Sequence, residues 1–269
     1  MASIERIEHP DDPRLADYRE IRDAERRRRD GTFIAEGREV VKRLLAARRY
    51  RARSALLTPP ALPGLRAPLE AAGVPILLVP PDIVKAIVGI EFHHGCLAVG
   101  ERGVEPSAEA VLTEARGAPV VALEDLGDAS NVGAIFRNAL ALGAGAVLLA
   151  PGTADPLYRK AIRVSAGAAL AMPFARLPDW PRELKRLRDA GYTLLALTPN
   201  PDAPDIDAAR AQLPRGARVA LMLGTEGRGL TEDALAAADL RVRIPMAAGM
   251  DSLNVATAGA VALHALSRS

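Results

Sequence analysis

A chain of 269 residues, 49% apolar and 25% charged, can bury a core of ordinary size and does not have the composition of a disordered segment. Its single cysteine, Cys96, excludes an intrachain disulfide and fits a reducing compartment. The net charge of +2 hides an asymmetry, because residues 22–53 hold 12 basic against 5 acidic side chains, whereas residues 101–269 hold 18 against 19. A local basic patch of this kind suits a polyanion, and equally a solvated helix face. The opening MASIERIEHPDDPRL has no apolar core and no stretch of about 18 uncharged apolar residues occurs, so neither a signal peptide nor a membrane span is expected, and a cytoplasmic protein is.

In chain order, RDAERRRRDG reads as a charged helix ending at Gly31, a glycine able to cap it. TFIAEG, SALLTP, PILLVP and CLAVGE read as short strands, with helical patterns between them at Glu36–Ala47, Leu65–Ala72 and Asp82–Val88. These make a first α/β unit over residues 1–102. ERGVEPSAEAVLTEARGAP lacks a strong strand signal, so residues 103–117 are read as a linker with room for one helical turn.

From residue 118 to 269 the apolar runs PVVALEDL, GAVLLAP, AMPFARL, YTLLALTP, VALMLG and RVRIPM alternate with helical patterns. Strands this uniformly apolar predict a mostly parallel sheet covered on both faces. Ligands on such sheets sit beyond the carboxyl ends of the strands, so the loops after LEDL, LALT, LMLG and RIPM are where chemistry is sought. No dinucleotide fingerprint follows a strand: Gly143-Ala144-Gly145 reads as a helix C-cap and turn. There is no phosphate loop and no Gly-x-Ser-x-Gly elbow. His9, His93, His94 and His264 are not at metal spacing, and no metal is expected.

Three segments remain. In residues 125–144, DLGDASNVGAIFRNALALGA, Ser130 or Asn131 can cap a helix and Arg137 lies inside an otherwise apolar run. The ordinary reading is a plain cap and an arginine reaching solvent. In residues 221–230, LMLGTEGRGL, a strand runs into three glycines that leave the backbone open to a ligand, with Glu226 beside them; the alternative is a turn in which Glu226 caps the next helix. In residues 243–266, RIPMAAGMDSLNVATAGAVALHAL, a small-residue loop precedes a helix that is read as starting at Ser252.

In this order the segments resemble the SpoU/TrmH branch of the SPOUT methyltransferases. NVGAIFRNA is similar to the first family motif at Asn131, Gly133 and Arg137. LMLGTEGRGL resembles the second at Gly224, Glu226 and Gly227, and IPMAAGMDSLNVATA the third at Ile244–Met246 and Ser252–Val255. RVSAGAALAMPF, residues 163–174, resembles the family's Ser-x-Gly-Ala segment. FIAEGREVVKRLL and FHHGCLAVGE resemble the opening and close of an L30e/L7Ae-like RNA-binding domain.

The resemblance implies an α/β fold in which a catalytic parallel-sheet domain carries a deep trefoil knot, a feature spacing alone would never suggest, beside a smaller L30e-like domain. It implies methyl transfer from S-adenosylmethionine to a ribose 2′-OH of ribosomal or transfer RNA by a homodimer. Thr198, Leu223, Gly224, Ile244, Met246 and Leu253 are the implied cofactor contacts, and Arg137, Asn131, Glu226, Ser252 and Asn254 the implied catalytic set. Arg26, Arg27, Arg28, Arg29 and Arg38 are read as RNA contacts. Arg137 has two open roles, a clamp on phosphate and developing oxyanion or a perturbed base, and the permanent charge of guanidinium favours the clamp. Two other classes stay open on the sequence: a non-catalytic RNA-binding or assembly factor that keeps the fold, and a nucleotide-using α/β enzyme of different chemistry.

Overall fold

A computed structural model of the chain describes residues 3–19, 21, 23–88 and 95–267. Phe92, His93 and His94, at the expected close of the first unit, lie outside the described residues. The chain divides into two compact units, Met1–Val104 with Leu157–Ala171, and Glu105–Pro156 with Met172–Ser269.

The first unit runs through β1 (Ile4–Arg6), α1 (Ala24–Arg29), β2 (Thr32–Glu36), α2 (Arg38–Ala46), β3 (Arg51–Leu57), α3 (Arg66–Ala71), β4 (Ile76–Leu78), α4 (Pro81–Val88) and β5 (Cys96–Glu101). Its sheet has the order β1-β4-β3-β5-β2, with β5 antiparallel to both of its neighbours and the other pairs parallel. Ile34, Leu56, Leu77, Leu97 and Val99 of the sheet pack with Leu15, Tyr18 and Ile21 in one core cluster. The strands read from apolar runs are present. β1 was not expected, because Ile-Glu-Arg has no apolar run, and it exists by pairing with β4. α1 ends as its sequence suggests, with Asp23 accepting from the Arg26 N–H at 2.8 Å at its start and Gly31 at φ +64° beyond its end.

The second unit comprises α5 (Ala108–Ala115), β6 (Val120–Leu123), α6 (Ala129–Ala141) and β7 (Ala146–Leu149). After α7 (Arg159–Val164), it continues through β8 (Phe174–Arg176), α8 (Leu184–Asp189), β9 (Tyr192–Leu197), α9 (Ile206–Gln212), β10 (Arg218–Leu223), α10 (Glu232–Ala237), β11 (Leu240–Val242) and α11 (Val255–Ser267). The sheet order is β11-β9-β10-β6-β7-β8 and every pairing is parallel, as the unbroken apolar strands predict. The carboxyl ends of β6, β9, β10 and β11 therefore open on one edge. No helix among the described residues is long and apolar enough to cross a membrane.

Three readings of the sequence need correction. Residues 103–117 are not a linker: Ser107 caps α5 by accepting from the Ala110 N–H at 3.2 Å, and Ala108, Val111, Leu112 and Ala115 form a buried i, i+3, i+4, i+7 face in the core of the second unit. The second unit is not one continuous segment, because Leu157–Ala171 groups with the first. There Arg159 Nη1 donates to Glu36 Oε2 at 2.5 Å, and Glu36 is buried. The helix starts also differ. Asp128 caps α6, accepting from the Ser130 N–H at 2.8 Å, where Ser130 or Asn131 was expected. Asn254 rather than Ser252 opens α11, its Oδ1 accepting from Ala256 N at 3.0 Å and Thr257 N at 3.3 Å. The rule that short polar side chains cap helices holds, but a different residue of each cluster reaches the free N–H groups.

Candidate active site

The loops leaving β9, β10 and β11 enclose a cavity of about 320 Å³ in the second unit. Leu197, Thr198 and Pro199 line it from β9, residues 223–227 with Gly229 from β10, and Ile244 and Met246 from the segment after β11. Ser252, Leu253, Asn254, Val255 and Ala258 close it from the start of α11. All six residues expected to meet a cofactor are brought together here, along with Glu226, Ser252 and Asn254.

The β10 loop is tight. Gly229 N–H donates to Thr225 O at 2.9 Å, and a methyl group added at Gly224 would lie 2.2 Å from the Gly229 carbonyl carbon. Glycine is required at Gly224 for close backbone approach rather than for an unusual dihedral. Small residues also let α11 sit low over the sheet, where a Cβ on Gly259 would come 2.9 Å from a Leu223 methyl.

Asn254 joins the three segments. Its Oδ1 caps α11, and its Nδ2 donates to Asn131 Oδ1 at 2.9 Å and to Glu226 Oε1 at 2.8 Å. Asn131 is buried at the start of α6 and Glu226 is exposed at the tip of the β10 loop. α6 is further tied to α11 by Asn138 Nδ2, donating to Ala256 O at 3.0 Å. Arg137 stands apart: it is exposed on α6, does not line the cavity, and among the described residues makes no hydrogen bond or ion pair. Six residues beyond Asn131, it is turned about 120° around the helix from it. The arginine is thus free to meet a ligand arriving from solvent.

The SpoU rRNA methylase family model matches residues 118–264. The chain belongs to the SpoU rRNA methylase family. A relative from Mycobacterium bovis named as an uncharacterized tRNA/rRNA methyltransferase is 43% identical, over 97% of this chain and 90% of its own length. A 23S rRNA (guanosine-2′-O-)-methyltransferase from Ralstonia nicotianae is 30% identical, over 72% of this chain and 77% of that one. The crystal structure of an AdoMet-bound rRNA methyltransferase from Sinorhizobium meliloti is similar with a TM-score of 0.83 and 25% identity, covering 98% of each chain. The mixed α/β fold with its parallel sheet matches that rRNA methyltransferase structure.

In this SpoU family member the arginines read as RNA contacts are not equivalent. Arg28, Arg29 and Arg38 are exposed, Arg26 is half-buried, and Arg27 is only 4% exposed. Arg27 Nη2 donates to Arg19 O at 2.9 Å, and burial lowers its affinity for its proton. Four consecutive helical residues point in four directions 100° apart, so one of a run of four arginines faces the unit's own interior. Sequence reasoning also missed Glu124, a buried carboxylate at the end of β6 that reads as the polar stop of a strand.

Proposed function

We propose that this protein transfers the methyl group of S-adenosylmethionine to a ribose 2′-OH of ribosomal or transfer RNA, in the cytoplasm. The observation that carries the reading is the cavity at the ends of β9, β10 and β11, whose polar rim is tied by Asn254 to both Asn131 and Glu226. The names of the relatives support it, one being a 2′-O-methyltransferase and another a structure with AdoMet bound.

The lining fits such a cofactor. Leu197, Leu223, Ile244 and Val255 offer apolar walls to a heterocycle, and Thr198, Glu226 and Ser252 offer groups for hydroxyls and an ammonium. The volume falls within the range of small-molecule sites. When bound, S-adenosylmethionine supplies a methyl group on a sulfonium centre whose departure leaves a neutral thioether, so the chain need not stabilise a leaving anion. What the chain must do is orient a weak nucleophile and accommodate loss of its proton. Arg137, permanently charged and exposed, grips an RNA phosphate and stabilises oxyanion character growing on the 2′ oxygen. Asn254 fixes Glu226 and Asn131 relative to one another, which holds the first and second motifs in register at the reacting end of the cavity.

RNA affinity resides in the first unit, read as L30e/L7Ae-like, with Arg26, Arg28, Arg29 and Arg38 replacing counterions on phosphates. The protein acts as a homodimer through α6 and α11, where Leu140 and Val261 are large exposed apolar side chains. The C-terminal segment is threaded as a trefoil knot; the return of α11 onto α6 after the edge strand β11 supports this. Calorimetry with S-adenosylmethionine tests the cofactor site. One mole should bind per chain, and Leu253→Arg should abolish binding by filling the cavity. Equal affinity in the two proteins removes the site.

A further inference from the structure

Glu124 lies one residue beyond β6, 4% exposed, and does not line the cavity. Its backbone N–H donates to Leu223 O at 2.9 Å. Its carboxylate accepts three further bonds, from Thr231 N at 2.8 Å, Thr231 Oγ1 at 2.7 Å and Trp180 Nε1 at 2.5 Å. Leu223 and Thr231 are the two stems of the β10 loop, residues 224–230. One residue therefore grips both stems, by its main chain on one side and its side chain on the other. The neighbouring Asp125, at φ +54°, reaches the far side of the same loop, where its Oδ2 accepts from Arg228 Nη2 at 3.4 Å.

A carboxylate this buried is costly unless its lone pairs are met, and here each oxygen is. The result is a fixed loop width at the place where Gly224, Thr225, Glu226, Gly227 and Gly229 face the cavity. We propose that Glu124 is a positioning residue for the S-adenosylmethionine site: it touches no ligand, and it holds the β10 loop in the shape that binds one. The proposal rests on the cofactor reading above. It goes beyond the motif residues, because it makes cofactor affinity depend on a group outside the cavity.

The isosteric variant Glu124→Gln tests it. Glutamine keeps one acceptor oxygen, and its amide turned either way sets a donor against the Thr231 N–H or against the Trp180 N–H. The loop stem must then shift while the volume stays filled. The dissociation constant for S-adenosylhomocysteine, read by calorimetry, should rise about tenfold, the scale of losing one charge-assisted hydrogen bond. In methyl transfer the KM for S-adenosylmethionine should rise similarly and by a larger factor than kcat falls, since Glu124 itself touches neither substrate nor the reacting atoms. Thr231→Val, which keeps the Thr231 N–H but removes one bond of the three together with the α10 cap that Thr231 Oγ1 makes by accepting from Ala234 N at 3.3 Å, should melt lower and show a smaller affinity shift in the same direction. Ser107→Ala, which removes the cap of α5, is the control: it should lower the melting temperature and leave affinity unchanged. A Glu124→Gln protein that melts lower yet binds with wild-type affinity overturns the proposal and makes Glu124 a fold residue only. If Glu124→Gln does not fold, wild-type affinity in Thr231→Val overturns it equally. Absence of binding by the wild type removes the cofactor reading itself, and the proposal with it.

Discussion

Asn254 carries two separable tasks, and two substitutions separate them. Asn254→Ala removes the cap of α11 and both bonds made by Nδ2. Loss of the cap costs about 1 kcal/mol. Leaving the buried Asn131 amide oxygen without its donor costs about 1 kcal/mol more. The bond to exposed Glu226 adds little to stability. A total of about 2 kcal/mol should lower the melting temperature by roughly 4–8 °C in a unit of this size. Asn254→Asp keeps an acceptor over the first turn of α11, where negative charge is favourable. It replaces the donor facing Glu226 by a second carboxylate. The Asn131 amide can turn to donate, and Glu226 cannot. Melting should therefore stay within about 2 °C of wild type, while the repulsion displaces Glu226 from the cavity rim and weakens S-adenosylmethionine binding about three- to tenfold, a modest figure because the pair is solvated. Differential scanning fluorimetry and calorimetry read the two effects. Wild-type affinity in Asn254→Asp, or unchanged melting in Asn254→Ala, refutes the reasoning.

Arg137→Ala should lower single-turnover methyl transfer to total RNA by about 10² to 10³ with cofactor binding intact. Arg137→Lys should recover part of the rate if charge alone matters and little if a bidentate grip on phosphate is needed; a wild-type rate in Arg137→Ala makes it an ordinary helix residue. Replacing Arg28 and Arg29 together by Ala should weaken RNA binding and flatten its salt dependence, whereas Arg27→Ala should lower stability first; an unchanged salt slope in the double variant leaves the run a solvated face. Light scattering on the full chain should give the mass of a dimer, and Leu140→Asp with Val261→Asp should give a monomer; a monomeric wild type contradicts the proposed interface. Cys96 is fully buried, and burial pushes its thiol up to about 11, about two units above an ordinary cysteine. At pH 8 that leaves about a hundredfold less thiolate, so iodoacetamide should label the native protein only as fast as it opens; labelling at the rate of a free thiol refutes the burial.

Strands buried on both faces were legible because unbroken apolar runs have no competing reading, and Val120–Leu123 through Arg218–Leu223 follow from that. β1 was not, since its pairing with β4 is a tertiary fact that Ile-Glu-Arg does not encode locally. The assignment of Leu157–Ala171 to the first unit was equally hidden: it reflects the packing of α7 on β2, where Arg159 meets Glu36, 123 positions away. α5 could have been found from the spacing of Ala108, Val111, Leu112 and Ala115, which the absence of a strand signal obscured. At the candidate site, the second and third motifs named residues that share one cavity, because glycines and small residues at strand ends advertise close approach, whereas Arg137 of the first motif lies outside it. They could not say that Asn254 is the residue linking Asn131 to Glu226, nor that Glu124 holds the loop stems. Both depend on side chains meeting across segments more than 100 positions apart.

The position of the transferred methyl group tests the central claim most directly. Total RNA incubated with the protein and methyl-labelled S-adenosylmethionine, digested to nucleosides and resolved by mass spectrometry, should carry the label on ribose as a 2′-O-methyl nucleoside. Label on a base, or no label on RNA while the cofactor binds, would contradict it.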